Sequence, residues 1–366
     1  MAALTCVIGL LVLVLMIFLL KYKLFSNEKF EITFENKPSF QRILLRSFFM
    51  IVTRKQGRLY IKTNRARESS ARDPPTQLET GGKVSVLNES NIIPGDPWLK
   101  LSITNFRLDA ESLEAYKKLS CVKTNDAVPI CYPETIFMRM SAFLASSPRS
   151  YISPLGLIHI RQTITQHRPL DDLLDGGFDI HARALHCVKV ERGIEVNAEY
   201  KVTDRHNLCV WEGIITVLSR SPKQQKSGTS RNAKKTDASK TVDTNLLGEC
   251  LLHVRQDTGV RYAKATGDWN PHHLFPWTAK LMGFRAPIAH GMWTLARTLD
   301  EVFGNDKVKR TYPIHVESTF KRPLFMPGEA RIQYGKDSRD MSQMWFKCCE
   351  ESTGAPHVTG TVKMGK

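Results

Sequence analysis

The sequence predicts an α+β fold of two halves, each an antiparallel sheet wrapped around one long apolar helix, preceded by a membrane-spanning helix. Three observations carry this. Apolar residues recur at helical spacing in two well-separated stretches, runs of alternating polarity follow each of them, and one short motif occurs in both halves.

The N-terminal segment comes first. From Met1 to Leu20 there is no charged residue, and Val7 to Leu20 is almost continuous Val, Leu, Ile, Met and Phe. About 20 helical residues at ~1.5 Å each span the ~30 Å hydrocarbon core of a bilayer. No Lys or Arg precedes the run and Lys21-Tyr22-Lys23 follows it, the pattern of a retained single-pass anchor rather than a cleaved signal peptide. Lys21, Lys23, Arg42 and Arg46 put the positive side after the helix, so the body of the chain is expected to face the cytosol, with the endoplasmic reticulum the preferred membrane. Eight cysteines without a C-x-x-C pair fit free thiols in that reducing compartment. The sequon Asn88-Glu89-Ser90 tests the orientation, because glycosylation there would place the body in the lumen.

The formal charge of +16 raises nucleic acid as a partner, and its distribution argues against it. Residues 21–75 hold 13 Lys/Arg against 5 Asp/Glu, and residues 219–246 hold 7 against 2, which leaves +3 for the rest of the chain. Basic charge in a segment after an anchor and in a linker suits anionic lipid headgroups, and no zinc-finger spacing or RNP-like motif accompanies it.

Residues 21–90 read as a basic juxtamembrane segment and linker, with a mixed basic and apolar helix over residues 40–62 suited to a membrane surface or to packing on the following domain. Residues 91–218 form the first folded half. Residues 219–246, nearly free of large apolar side chains, read as a flexible linker. Residues 247–366 form the second half. The helices are expected over Tyr132 to Ser146 and Met292 to Phe303. The strands are expected at Ile194 to Val202, Cys209 to Leu218, Ala330 to Tyr334, Met344 to Cys349 and Val358 to Met364. The echo is Ile158-His159-Ile160 with Arg168-Pro169-Leu170, against Ile314-His315-Val316 with Arg322-Pro323-Leu324. Two such halves make a tandem hot-dog pair.

The chemistry concentrates between Tyr262 and His290. Gly267 permits a tight turn and Pro271 restricts Asn270 to an extended conformation, which can bring Asp268 and His273 together as a carboxylate and imidazole pair. On spacing alone, Asp268 capping a short helix from Pro271, with His273 on the surface, is an equally open reading. His272, His273, Asp268 and His290 match no helical metal pair, so no metal is expected. Trp269 and Trp277 read as wall or core.

Tyr262-Ala-Lys-Ala-Thr266-Gly267-Asp268-Trp269-Asn270-Pro271-His272-His273 resembles the hydratase 2 motif of MaoC-like enoyl-CoA hydratases and dehydratases, and Pro287-Ile288-Ala289-His290-Gly291-Met292 resembles the segment that follows it. The likeness extends more weakly through Pro323 to Gly328 and is only architectural over residues 100–218. It implies a hot-dog fold and reversible hydration of trans-2-enoyl thioesters, carried by CoA or acyl carrier protein, to (R)-3-hydroxyacyl thioesters without a cofactor. It makes Asp268 and His273 the catalytic pair, Asn270 the residue that orients them or the water, and Gly291 the backbone donor to the thioester carbonyl. Gly267, His290 and Met292 would surround the substrate, with His290 structural beside Gly291 and His272 a bystander. The first half lacks the motif, so it is expected to be silent and to make room for medium or long acyl chains. The competing readings are a membrane-tethered hot-dog protein that binds acyl thioesters or lipids without turnover, and a hot-dog thioesterase. A homodimer is left open as a partner state.

Overall fold

The computed structural model describes residues 31–54, 92–93, 99–220 and 245–365, apart from residues 148, 149, 151, 155, 339 and 341. The apolar run of residues 1–20 and the sequon lie outside them. No helix among the described residues is long and apolar enough to cross a membrane.

A short strand β1 (Glu31–Phe34) and helix α1 (Phe40–Thr53) open the described chain. The first half continues with β2 (Ile92–Ile93), β3 (Lys100–Phe106), α2 (Ala110–Ser120), α3 (Tyr132–Ala145), β4 (Leu157–Gln166), β5 (Phe178–Val190), β6 (Gly193–Thr203) and β7 (Cys209–Arg220). The second half holds β8 (Asn245–Val254), α4 (Thr258–Thr266), α5 (Pro276–Leu281), α6 (Gly291–Phe303), β9 (Ile314–Phe320), β10 (Gly328–Lys336), β11 (Gln343–Glu350) and β12 (Pro356–Met364). The two expected helices and five expected strands are all present, within three residues at each end.

Two boundaries differ. Residues 31–54 were read as juxtamembrane segment, yet β1 pairs in parallel with β3 and α1 packs along α3, because Ile43 and Met50 bury against the first half. The helix read over residues 40–62 ends at Thr53, and its remainder lies outside the described residues. Most of the linker read over 219–246 is also outside them, with β7 reaching Arg220 and β8 starting at Asn245.

The strands form one 12-stranded sheet in the order β1-β3-β5-β6-β7-β4-β9-β12-β11-β10-β8, with β2 on β5. The order mirrors about the β4–β9 junction. Ile158 and Ile314 of the echo lie 156 residues apart, and at that offset Gln162 corresponds to Ser318, the residue it faces across the antiparallel β4–β9 pair. The Ser318 hydroxyl donates to the Gln162 carbonyl at 3.1 Å.

Each long helix packs on its own part of the sheet, α3 on β5 and β6, α6 on β10, β11 and β12. Helix α3 starts at a proline-bearing first turn and buries Ile136, Phe137, Met140 and Phe143. Phe137 stacks on Tyr200 at 4.6 Å, and the Trp211 indole N–H donates to the Ile130 carbonyl at 2.8 Å. Large side chains so enclosed stabilise by ~1.5–3 kcal/mol each. Helix α6 buries Leu295, Leu299 and Val302 at three- and four-residue spacing. Asp300 on α6 joins the halves by accepting from the backbone N–H groups of Val122, Lys123 and Thr124. The seven described cysteines are all free.

Candidate active site

The site is built where α4, the turn after it and the start of α6 converge. Helix α4 ends at Gly267, whose φ of 77° is the left-handed cap conformation, and its N–H closes on the Ala263 carbonyl at 2.8 Å. A Cβ at Gly267 would meet nothing, so backbone conformation alone selects glycine there. Asp268 follows, its N–H bonded to Thr266 Oγ1 at 3.2 Å and its Oδ1 accepting from the Asn270 N–H at 3.3 Å. Asn270, extended as the residue before Pro271 should be, starts a single 3-10 turn over Pro271–His273 that carries His273 inward. Asp268 therefore does not cap that turn; its carboxylate holds the loop and leaves one oxygen over.

His273 is buried, and its Nδ1 lies 2.7 Å from the Ile288 carbonyl oxygen. A carbonyl only accepts, so Nδ1 carries the proton and Nε2 keeps its lone pair. Burial, with the rings of His290 and His272 alongside, pushes the His273 pKa well below the ordinary histidine value. His290 is equally buried, donates Nε2–H to the Asp268 backbone carbonyl at 3.1 Å, and lies 3.7 Å from Asp268 Oδ2. Burial lowers it to about 3. Both rings are neutral at neutral pH. Asp268, His273 and His290 each present a polar atom, all within 4.8 Å of one another.

Gly291 is the first residue of α6, where backbone N–H groups lack intrahelical acceptors. A Cβ there would stand 3.0 Å from the Phe320 ring, tighter than an ordinary contact, so glycine lets this helix end approach β9 without moving the ring. Met292 is buried in the same turn. The loop before α6 is pinned on both sides: Ile288 N–H to the His272 carbonyl at 3.1 Å, Ala289 N–H to the Leu324 carbonyl at 2.7 Å and Met326 N–H to the Pro287 carbonyl at 2.8 Å. That pairing gives a physical role to the Arg322-Pro323-Leu324 stretch, which holds the loop that fixes His273.

The structure thus brings Asp268, His273, His290 and the start of α6 together. Asn270 reaches Asp268 through its backbone amide. His272 stays outside, its ring edge-on to His273 at 4.0 Å and its buried Nδ1 without a partner. Trp269 and Trp277, expected as wall or core, are 43% and 64% exposed, so neither belongs to the core. His290 was read as structural support, and its contacts put it inside the polar cluster.

Sequence reasoning missed three residues. A Cβ on Gly259, in the first turn of α4, would overlap the His273 carbonyl oxygen. A glycine inside a helical stretch was the available signal. Tyr116 of α2 backs Tyr262, which lies 4.6 Å from the His290 ring, and the His159 ring of β4 lies 4.5 Å from Phe320. Neither contact follows from spacing along the chain.

A second polar cluster, His167, Cys209 and Glu212, is on the sheet away from this site. There Lys201 lies 3.4 Å from the Glu212 carboxylate and neutralises it. In the first half, an apolar cavity of about 100 Å³ lies between α3 and the sheet, lined by Leu144, Leu157, Val196, Tyr200, Ile215 and Val217 among others.

Comparisons with known proteins follow the same geometry. Residues 230–327 match the family described as MaoC like domain. The chain is 25% identical over 265 residues to 3-hydroxyacyl-thioester dehydratase X of Mycobacterium tuberculosis, covering 72% of this chain and 88% of that protein. The crystal structure of HtdX from the same organism superimposes with a TM-score of 0.58 at 23% identity, over 73% of this chain and 100% of that one. A MaoC-like dehydratase from Phytophthora capsici does so at 0.57 and 16%, over 76% and 98%. The fold is the α+β hot-dog fold of these proteins.

Proposed function

Because residues 230–327 are a MaoC-like domain, we propose that the protein is a hydro-lyase that reversibly hydrates trans-2-enoyl thioesters to (R)-3-hydroxyacyl thioesters. One observation carries the reading: a neutral histidine, with its proton fixed on Nδ1 by Ile288, keeps an unprotonated Nε2 in a cluster whose polar atoms lie within 4.8 Å of the Asp268 carboxylate. The relative named a 3-hydroxyacyl-thioester dehydratase supports the substrate class.

Asp268 and His273 hold a water between them. Its oxygen adds to C3 as one of its protons passes to the pair, and the π electrons move onto the thioester as an enolate. The Gly291 N–H, at a helix N-terminus, meets the oxygen charge without reorganising, an effect typically worth ~10²- to 10³-fold. The pair then returns the proton to C2. A positioned acid or base contributes ~10²- to 10⁴-fold more.

The mirrored sheet order and the Gln162–Ser318 register support a second element of the reading, that the two halves are tandem repeats with the first one silent. The apolar cavity of the first half suits the tail of a medium or long acyl chain. Leu157 lines it, His159 comes two residues later against Phe320, and Phe320 faces Gly291. Attachment through residues 1–20, with the body in the cytosol, completes the proposal.

The test follows loss of the conjugated double bond when the full chain meets trans-2-enoyl-CoA. The full chain is needed because residues 31–54 are part of the fold. Loss of conjugation that Asp268→Asn and His273→Ala each abolish supports the hydratase. Release of free CoA would make the protein a thioesterase, and no change at all would leave a binding protein. Within the same assay, Val196→Trp should impair dodecenoyl-CoA and spare crotonyl-CoA.

A further inference from the structure

Helix α1 has two apolar faces. Ile43, Arg46 and Met50 point inward, with the Arg46 guanidinium 4.0 Å from the Phe143 ring centroid. Arg54, just past the helix, donates to the Ser150 carbonyl. The other face is formed by Leu44, Leu45, Phe48, Ile51 and Val52. At 3.6 residues per turn these five make one stripe about 120° wide. Leu44, Phe48 and Val52 are 59%, 61% and 69% exposed. Single exposed apolar side chains are ordinary, whereas five on one helix face mark a contact surface.

We propose that this outward face of α1 lies in the interfacial layer of an anionic phospholipid bilayer. The stripe enters the upper acyl chains and Arg42 meets the headgroups. Three features select lipid over a second copy of the chain. Arg42 is exposed at the flank of the stripe and no acidic residue lies between Lys37 and Arg54, so the outward face offers a cation and no anion to a surface. The stripe runs from Leu44 to Val52, about 12 Å along the 14-residue helix, as a straight band that suits a plane. The apolar run ending at Leu20 lies only 20 residues before Phe40, so a bilayer holding it is within reach of α1. The inference does not depend on the hydratase reading.

The test puts p-benzoylphenylalanine in place of Phe48, of Val52, or of Leu208, an exposed apolar residue just before β7. Each full-length variant is reconstituted in phosphatidylcholine vesicles with or without phosphatidylglycerol and irradiated. Expected are lipid adducts at Phe48 and Val52, severalfold more abundant with phosphatidylglycerol, and none at Leu208. Adducts joining two copies of the chain, absence of lipid adducts at both helix positions, equal labelling of Leu208, or yields indifferent to phosphatidylglycerol would each overturn the proposal.

Discussion

The imidazoles of His273 and His290 are stacked, with ring centroids 3.7 Å apart and planes within 24°. Each is fixed as a neutral tautomer by a backbone carbonyl, Ile288 for one and Asp268 for the other. A charge on either ring would be buried against its neighbour, which is why both values fall below the ordinary range.

That relationship sets a pH dependence. The folded values lie below the unfolded ~6.5, so the unfolded chain binds more protons as the pH falls, and stability present above about 6.5 is lost toward 3, by up to ~1.4 kcal/mol per pH unit per histidine. Urea midpoints should therefore fall from about pH 7.5 to about pH 5, and His290→Asn should flatten the slope. An unchanged slope in that variant would refute the assignment. The acid limb of the rate profile should likewise lie below the usual histidine range.

Glu134 in the first turn of α3 behaves oppositely. Burial raises its pKa to about 8, against which the Gln162 amide, donating at 3.2 Å, acts only partly. The folded state binds the extra proton between 4.5 and about 8, so stability declines as the pH rises through that window. Glu134→Gln should raise stability at about pH 8 by on the order of 1–3 kcal/mol and change little near pH 4. Thermal melts at the two pH values check it.

Gly291 and Phe320 are a packed pair. Gly291→Ala crowds the Phe320 ring by a few tenths of an ångström, and such a displacement of the helix end that faces the reacting carbonyl should lower kcat severalfold. Adding Phe320→Leu makes room and should recover part of the kcat. No recovery would mean that the glycine acts through something other than space.

Two other glycines separate backbone strain from crowding. Gly267→Ala forces a side chain into positive φ with open space around it, costing ~1–2 kcal/mol of stability. Gly259→Ala drives a methyl group into the His273 carbonyl, so its activity loss should far exceed that of Gly267→Ala. Comparable losses in an enoyl-CoA assay would argue against the close approach.

Asp300 tests the join between the halves. It is buried and also pairs with Arg297 at 2.6 Å. Asp300→Ala leaves three backbone donors without their acceptor and Arg297 with Glu301 alone, at 3.4 Å, and should destabilise by ~1–3 kcal/mol in denaturant titrations. Retained stability would show that the α2–α3 loop is held by other contacts.

The long helices and the later strands were readable because burial imposes periods of 3.6 and 2 on their apolar residues. The bend at Gly267 and the extended Asn270 were readable because glycine and proline act on their immediate neighbours, whereas spacing alone left Asp268 open between capping the turn and pairing with His273. The exposure of Trp269 and Trp277 was not, since aromatic character does not tell which side of a loop meets solvent. Nor was the pairing of Glu31–Phe34 with β3, and for the helix that follows, spacing left a membrane surface and a protein surface equally open, which the burial of Ile43 and Met50 against the first half decides.

By itself, the sequence determined the two long helices, the later strands of each half and the extended backbone of Asn270 before Pro271, because these depend on backbone restriction and short-range periodicity. Only the tertiary structure decided the rest: that Ile288 fixes the His273 proton, that His290 stacks upon it, that the Phe320 ring packs against Gly291, and that Gln162 faces Ser318. Each of these joins residues from separate elements, and their energies come from burial and close packing that exist only once the sheet has closed over both helices.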